Sequence, residues 1–167
     1  ARIADCLVSF QTPAGGWNKN THQSSAPRRP GERHGYEAGY VGTIDNDATI
    51  TQLRFLAKAV TATPTHGRAD LWRTAFTRGI DYLLTAQYPN GGWPQVFPLE
   101  GGYHDAITFN DGALINVLTL LRAVAAGLHE FAFVPAELRT RAAASATRAL
   151  GCILASQITV KGRRTAW

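Results

Sequence analysis

Residues 7–17 read Leu-Val-Ser-Phe-Gln-Thr-Pro-Ala-Gly-Gly-Trp, and residues 83–93 read Leu-Leu-Thr-Ala-Gln-Tyr-Pro-Asn-Gly-Gly-Trp. The leucine, the glutamine, the proline, both glycines and the tryptophan match, at an offset of 76 positions (83 against 7). A unit that recurs this way cannot bury its apolar face alone and is expected to stack on its copies. A weaker third copy starts at Ile153-Leu154-Ala155-Ser156-Gln157 and departs at Lys161-Gly162-Arg163. A second repeat lies between the copies of the first. Thr43-Ile44-Asp45-Asn46-Asp47-Ala48-Thr49-Ile50 resembles Thr108-Phe109-Asn110-Asp111-Gly112-Ala113-Leu114-Ile115, with Asp and Asn exchanged across the central pair.

The segments around these repeats carry helical periodicity. Residues 1–11 read as a helix end, stopped by Pro13 and Gly15-Gly16. Asp45 and Asn46 have the chemistry of N-caps, and a helix is predicted over 47–62 from Ile50, Leu53, Leu56, Ala57 and Val60. Further helices are predicted over 69–87, over 112–126 behind an Asn110 or Asp111 cap, and over 136–157 with Pro135 opening it. Strand character is confined to Trp93–Phe97. Segments 21–42 and 89–107 are long and irregular, and such loops in a compact domain usually carry function. Helix pairs joined by two recurring loop types predict an all-α fold, an α/α toroid or solenoid, with like loops gathered at one end.

Forty-five per cent hydrophobic residues in a chain of 167 suffice for one core and argue against disorder. No run reaches the roughly 18–20 apolar residues of a membrane span, so no membrane partner is expected. The net charge of +5 suits a polyanion. The bases are scattered, however, and only Arg28-Arg29 and Arg163-Arg164 are adjacent, which is a poor footprint for nucleic acid. Cys6 and Cys152 show no metal spacing, and two buried thiols are expected, with a disulfide between them the lesser alternative. The chain opens in mid-helix, without a methionine or a leader pattern, as a segment inside a larger sequence would.

Three constellations can carry chemistry. The Gln-x-x-x-Gly-Gly-Trp endings suit helix termination, and their tryptophans suit either a structural cover or stacking on a sugar. Asp45-Asn46-Asp47 and Asn110-Asp111 set carboxylate and amide oxygens at two helix starts. Capping explains one residue at each; the remainder suits a hard cation such as Ca²⁺, which takes six to eight oxygen ligands, and both readings stand. The loop from Gly91 through Tyr103-His104-Asp105 reads as a binding lip, with His104 a general base by type but without an evident orienting partner. Lys19 either meets a substrate carboxylate or faces solvent.

Together these segments resemble the family 10 polysaccharide lyases, pectate lyases built on an α/α toroid. The resemblance is carried by Gly15-Gly16-Trp17-Asn18-Lys19-Asn20, Gly42-Thr43-Ile44-Asp45-Asn46, Ala86–Gln95, and Gly102-Tyr103-His104-Asp105 through Ile107-Thr108-Phe109-Asn110-Asp111. It covers nearly the whole chain, and four motifs in order are specific. The helix endings are also similar to the stabilising motif of triterpene cyclases, but no Asp-x-Asp-Asp run is present.

The resemblance implies cleavage of polygalacturonate (pectin) by β-elimination, with Ca²⁺ bridging aspartates and the uronate carboxylate. It implies Asp45 and Asp111 as calcium ligands, Asp105 as a weaker third, and Lys19, Asn46, His104 and Asn110 as lining of the substrate cleft. It implies secretion, since the substrate is extracellular, and a monomer is expected. The family's catalytic base, an arginine, is expected beyond Trp167. Residues 1–167 are therefore expected to be part of one catalytic domain, a toroid incomplete at its C-terminal side. The alternative is a non-catalytic, calcium-dependent module that binds acidic glycan.

Overall fold

A computed structural model describes residues 1–19, 22–35 and 41–165. Asn20, the last residue of one segment named above, and Trp167 lie outside them. Five α-helices follow in order: α1 (Arg2–Phe10), α2 (Ile50–Ala62), α3 (Ala69–Ala86), α4 (Ala113–Ala126) and α5 (Ala136–Ala155). Two strand pairs are short, β1 (Gly42–Thr43) with β2 (Val96–Phe97), and β3 (Thr159–Val160) with β4 (Arg163–Arg164). The fold is all-α, as its periodicity predicts. Among the described residues no helix is long and apolar enough to cross a membrane.

The helices pack as neighbours in sequence, α2 on α3 and α4 on α5, while α1 lies against α2 and α3. One stripe of each faces a continuous core. Leu53, Leu56 and Val60 of α2 meet Trp72, Phe76, Ile80 and Leu83 of α3, and Leu114, Val117, Leu120, Leu121 and Val124 of α4 extend the cluster towards Leu138, Ala142 and Ala149 of α5. Leu, Ile and Val at three-and-four spacing place such side chains over one another on a helix face, and their burial drives the pairing.

The first repeat is a joint. Gln11 ends α1, and its side-chain amide donates to Gly15 O at 2.7 Å and to Ala75 O of α3 at 2.8 Å. Gln87 ends α3 and does the same, to Gly91 O and to Ser145 O of α5, both at 3.0 Å. Each glutamine therefore satisfies a carbonyl of its own loop and clamps a helix of the next unit. Gly15 (φ +106°) and Gly91 (φ +94°) adopt left-handed backbone where the loop presses on that same helix. A Cβ there would stand 2.6 Å from Arg78 O and 2.1 Å from Arg148 O, so only glycine fits. Trp17 and Trp93 are fully buried and donate from the indole to Leu7 O and Leu83 O, each at 2.7 Å. Of the two roles open to these rings, the structure gives them the structural one. Gln157, at the third copy, instead donates to Thr165 O at 3.0 Å across the β3–β4 hairpin. Cys6 and Cys152 are free, buried thiols.

Candidate active site

The carbonyl of each repeat tryptophan holds the threonine that begins the second repeat. Thr43 N–H donates to Trp17 O at 2.9 Å, and Thr108 N–H donates to Trp93 O at 3.2 Å. The β1–β2 ladder pairs Gly42 with Phe97 and Thr43 with Val96, and Ile44 N–H adds a bond to Gln95 O at 3.1 Å. The two loops are thereby fixed to each other at the point where the acidic segments begin.

Those segments are not helix caps. Asp45–Asp47 and Asn110–Gly112 are separate 3-10 turns, and α2 starts only at Ile50, three residues later than the sequence predicts. The cause is local backbone. Asn46 (φ 50°), Asp47 (φ 59°), Thr49 (φ 66°) and Asp111 (φ 52°) are left-handed, which breaks a right-handed helix before it can propagate. Asn and Asp tolerate this conformation best among residues with side chains, so a sequence reading cannot separate a cap from a left-handed turn. Non-glycine residues held there each cost on the order of 1–3 kcal/mol and cluster at functional sites.

The two turns pack against each other and against α4. Asp45 is 4 % exposed and forms an ion pair with Lys19. Burial pushes the Asp45 carboxyl upward in pKa. The Lys19 bond and charge, the Gln95 side chain and the Asn46 N–H outweigh that and hold it below the usual carboxylate range. Asp47 and Asn46 are exposed, and Asp47 Oδ1 accepts from Asn116 Nδ2 at 2.6 Å. On the second turn, the Thr108 hydroxyl donates to Asn110 Oδ1, and Asn110 Nδ2 donates to Asp111 Oδ2 at 3.0 Å. The two turns that carry Asp45, Asn46, Asn110 and Asp111 are thus neighbours. Lys19 is there too, set against a carboxylate rather than in solvent.

Asn116 and Gln52 were not singled out by sequence reasoning. The signal was present: each is a lone amide in the first turn of an apolar helix, Ala-Leu-Ile-Asn-Val-Leu and Ile-Thr-Gln-Leu. His104 and Asp105 sit on a third 3-10 turn, Tyr103–Asp105. The His104 ring lies 3.8 Å from that of Tyr103, centroid to centroid. Both Asp105 oxygens accept from their own loop, from Glu100 N–H at 3.1 Å and Gly101 N–H at 2.9 Å. That work closes the lip and needs no metal.

The donor set fits a hard cation in chemistry: three carboxylates (Asp45, Asp47, Asp111) and amides (Asn46, Asn110, Asn116), all oxygen. It is incomplete in number. Among the described residues no three Asp, Glu, His or Cys side chains form a group that could hold a metal ion.

Solved structures share this helical arrangement. The family 10 polysaccharide lyase from Cellvibrio cellulosa superposes with a TM-score of 0.83, and an aspartate-to-alanine mutant of it in complex with trigalacturonic acid with 0.84. Each is 34 % identical and is matched over 99 % of this chain and 49 % of its own. The fold is therefore that of a polysaccharide lyase. The profile of the pectic acid lyase family matches residues 11–167, and the chain belongs to that family. It spans about half the length of the lyases it matches. No curated protein matches it.

Proposed function

We propose that the whole protein is a pectate lyase that cleaves polygalacturonate by calcium-assisted β-elimination, and that these residues form part of its cleft. The observation that carries this reading is the packing together of the two acidic turns in a chain of the pectic acid lyase family. A relative 34 % identical was solved with trigalacturonic acid, an oligomer of the same uronate.

Asp45 and Asp111 would hold calcium, with Asp47 positioned by Asn116 beside them. Asp105 is a weaker candidate. Asn46, Asn110, Lys19 and His104 line the cleft, where amide and cationic groups can orient the sugar hydroxyls and carboxylates. Held there, calcium would supply positive charge to a bound uronate carboxylate and so ease removal of the neighbouring proton, a contribution of several kcal/mol. The base is the arginine that the family resemblance implies beyond Trp167; a guanidinium can serve only where its surroundings oppose its protonation. The complete chain closes its helix pairs into an α/α toroid, is secreted to reach its polymer, and acts as a monomer without nucleic-acid or membrane partners.

Elimination leaves a conjugated unsaturated uronide, which absorbs in the ultraviolet; hydrolysis does not. The whole protein is expected to raise ultraviolet absorbance on polygalacturonate with calcium and to stop on addition of a chelator. Calcium-dependent binding without any rise would replace the lyase reading with that of a non-catalytic acidic-glycan module.

A further inference from the structure

Arg54 is a half-buried cation with nothing to hold. It lies on the second turn of α2, and among the described residues its guanidinium makes no hydrogen bond and no ion pair. Arg28 and Arg73 are half-buried too, and they bond Ser9 O at 2.8 Å and Asp70 Oδ1 at 2.7 Å. Arg139 also lacks a bond, but it packs against Gly127 at the carboxyl end of α4, where the helix dipole favours a cation. Arg54 has no such support. It lines a hollow of about 230 Å³ whose other walls are Asp47, Ile50, Thr51, Asn116 and Thr119. Asp47 and Asn116 bond each other through Oδ1 and Nδ2, which leaves Asp47 Oδ2 and Asn116 Oδ1 as open acceptors. Asp47 and Thr51 also line the adjoining hollow that holds Lys19 and Asn46, so the two hollows are continuous.

We propose that this hollow is a subsite for one uronate unit, with Arg54 on its carboxylate and Asp47, Thr51 and Asn116 on its hydroxyls. A planar guanidinium presents paired N–H donors that match the two oxygens of a carboxylate. Open acceptors beside that cation suit a ligand with hydroxyls beside its acid, which a sugar acid has and a bare inorganic anion lacks. Arg54 also answers an electrostatic need, because Asp45, Asp47 and Asp111 repel a polyanion and an unpaired guanidinium beside them attracts it. The proposal rests on the acidic-glycan reading of the cleft and adds a specificity to it. At this unit the protein reads the charge directly, through a side chain, and a methyl-esterified unit loses that contact.

The test is calorimetric binding of trigalacturonic acid and of its trimethyl ester to the whole protein, for wild type and Arg54→Gln. The R54Q variant is expected to bind the acid about tenfold more weakly and the ester as wild type does, with an unchanged melting temperature. Wild-type affinity for the acid in R54Q overturns the subsite, and so does an equal loss on acid and ester, which would make Arg54 a structural residue. Where the ester binds neither protein, the loss on the acid at an unchanged melting temperature decides. If R54Q does not fold, Arg54→Lys keeps the charge without the paired donors. About threefold weaker binding of the acid is then expected, and wild-type affinity overturns the subsite. Ultraviolet absorbance on polygalacturonate, read in parallel, separates the two readings. A rise from wild type without an effect of R54Q on binding sinks the subsite alone; no rise, with the R54Q loss intact, sinks the lyase reading alone. No binding of the acid by wild type overturns both.

Discussion

Asp5, far in sequence from the acidic turns, holds the start of α3 to α1. Its Oδ1 accepts from Arg68 Nε at 2.6 Å and from Trp72 Nε1 at 2.8 Å. Burial alone would raise its pKa, but the Trp72 and Arg68 bonds and the Arg68 charge outweigh that and hold it low. A carboxylate with a depressed folded pKa contributes stability that is present above its unfolded value, about 3.9, and lost as pH falls through the folded value. Asp5→Ala is therefore expected to cost about 1 kcal/mol at neutral pH, the modest figure reflecting a half-exposed Arg68. The loss should shrink below pH 4, as read from urea midpoints across that range. At the site, Asp111→Asn keeps a residue that tolerates φ 52° and removes only the charge. It is expected to abolish calcium-dependent binding of trigalacturonic acid, measured by calorimetry, while the melting temperature changes by only a few degrees. The sequence made the identity of these residues legible and hid their conformation. Asp45, Asn46, Asn110 and Asp111 were visible as oxygen-rich pairs, but capping and left-handed turns use the same residues. The Lys19–Asp45 and Asn116–Asp47 pairs were hidden altogether, since each joins residues of different elements.

At the scale of elements, the two glutamine clamps do the joining. Gln87→Ala leaves the Gly91 carbonyl without its donor and unties the bond to Ser145 O of α5, and about 2 kcal/mol of stability should be lost. Gly91→Ala should cost at least as much, because its Cβ would collide with Arg148 O in a strained backbone. Denaturant midpoints of both variants in the whole protein check this. Midpoints within experimental error of wild type would mean that the joints only decorate a core that is stable without them. The repeat itself was plain in the sequence, as were five helices to within three residues at their ends. What each glutamine grips was not: Gln11 reaches Ala75, 64 residues away, and spacing along the chain carries no record of that contact.

Over the whole molecule, apolar surface is unevenly covered. Leu150 and Leu154 on α5, and Ile158 and Val160 just after it, are each 40 % exposed or more. Such clustered exposure marks surface that another element or molecule covers. Residues 1–167 produced by themselves are expected to self-associate, seen as concentration-dependent sedimentation, and Leu154→Lys with Ile158→Lys should reduce it. Concentration-independent monomers of the unaltered segment would contradict this. The hand-over from Gln11 to α3 and from Gln87 to α5 has a consequence for ancestry. The first two units each meet the next through one amide and one glycine that they carry themselves. An in-frame duplication or deletion of one helical pair therefore leaves each remaining junction intact, so the number of pairs in this lineage can change by recombination without redesign of any single joint.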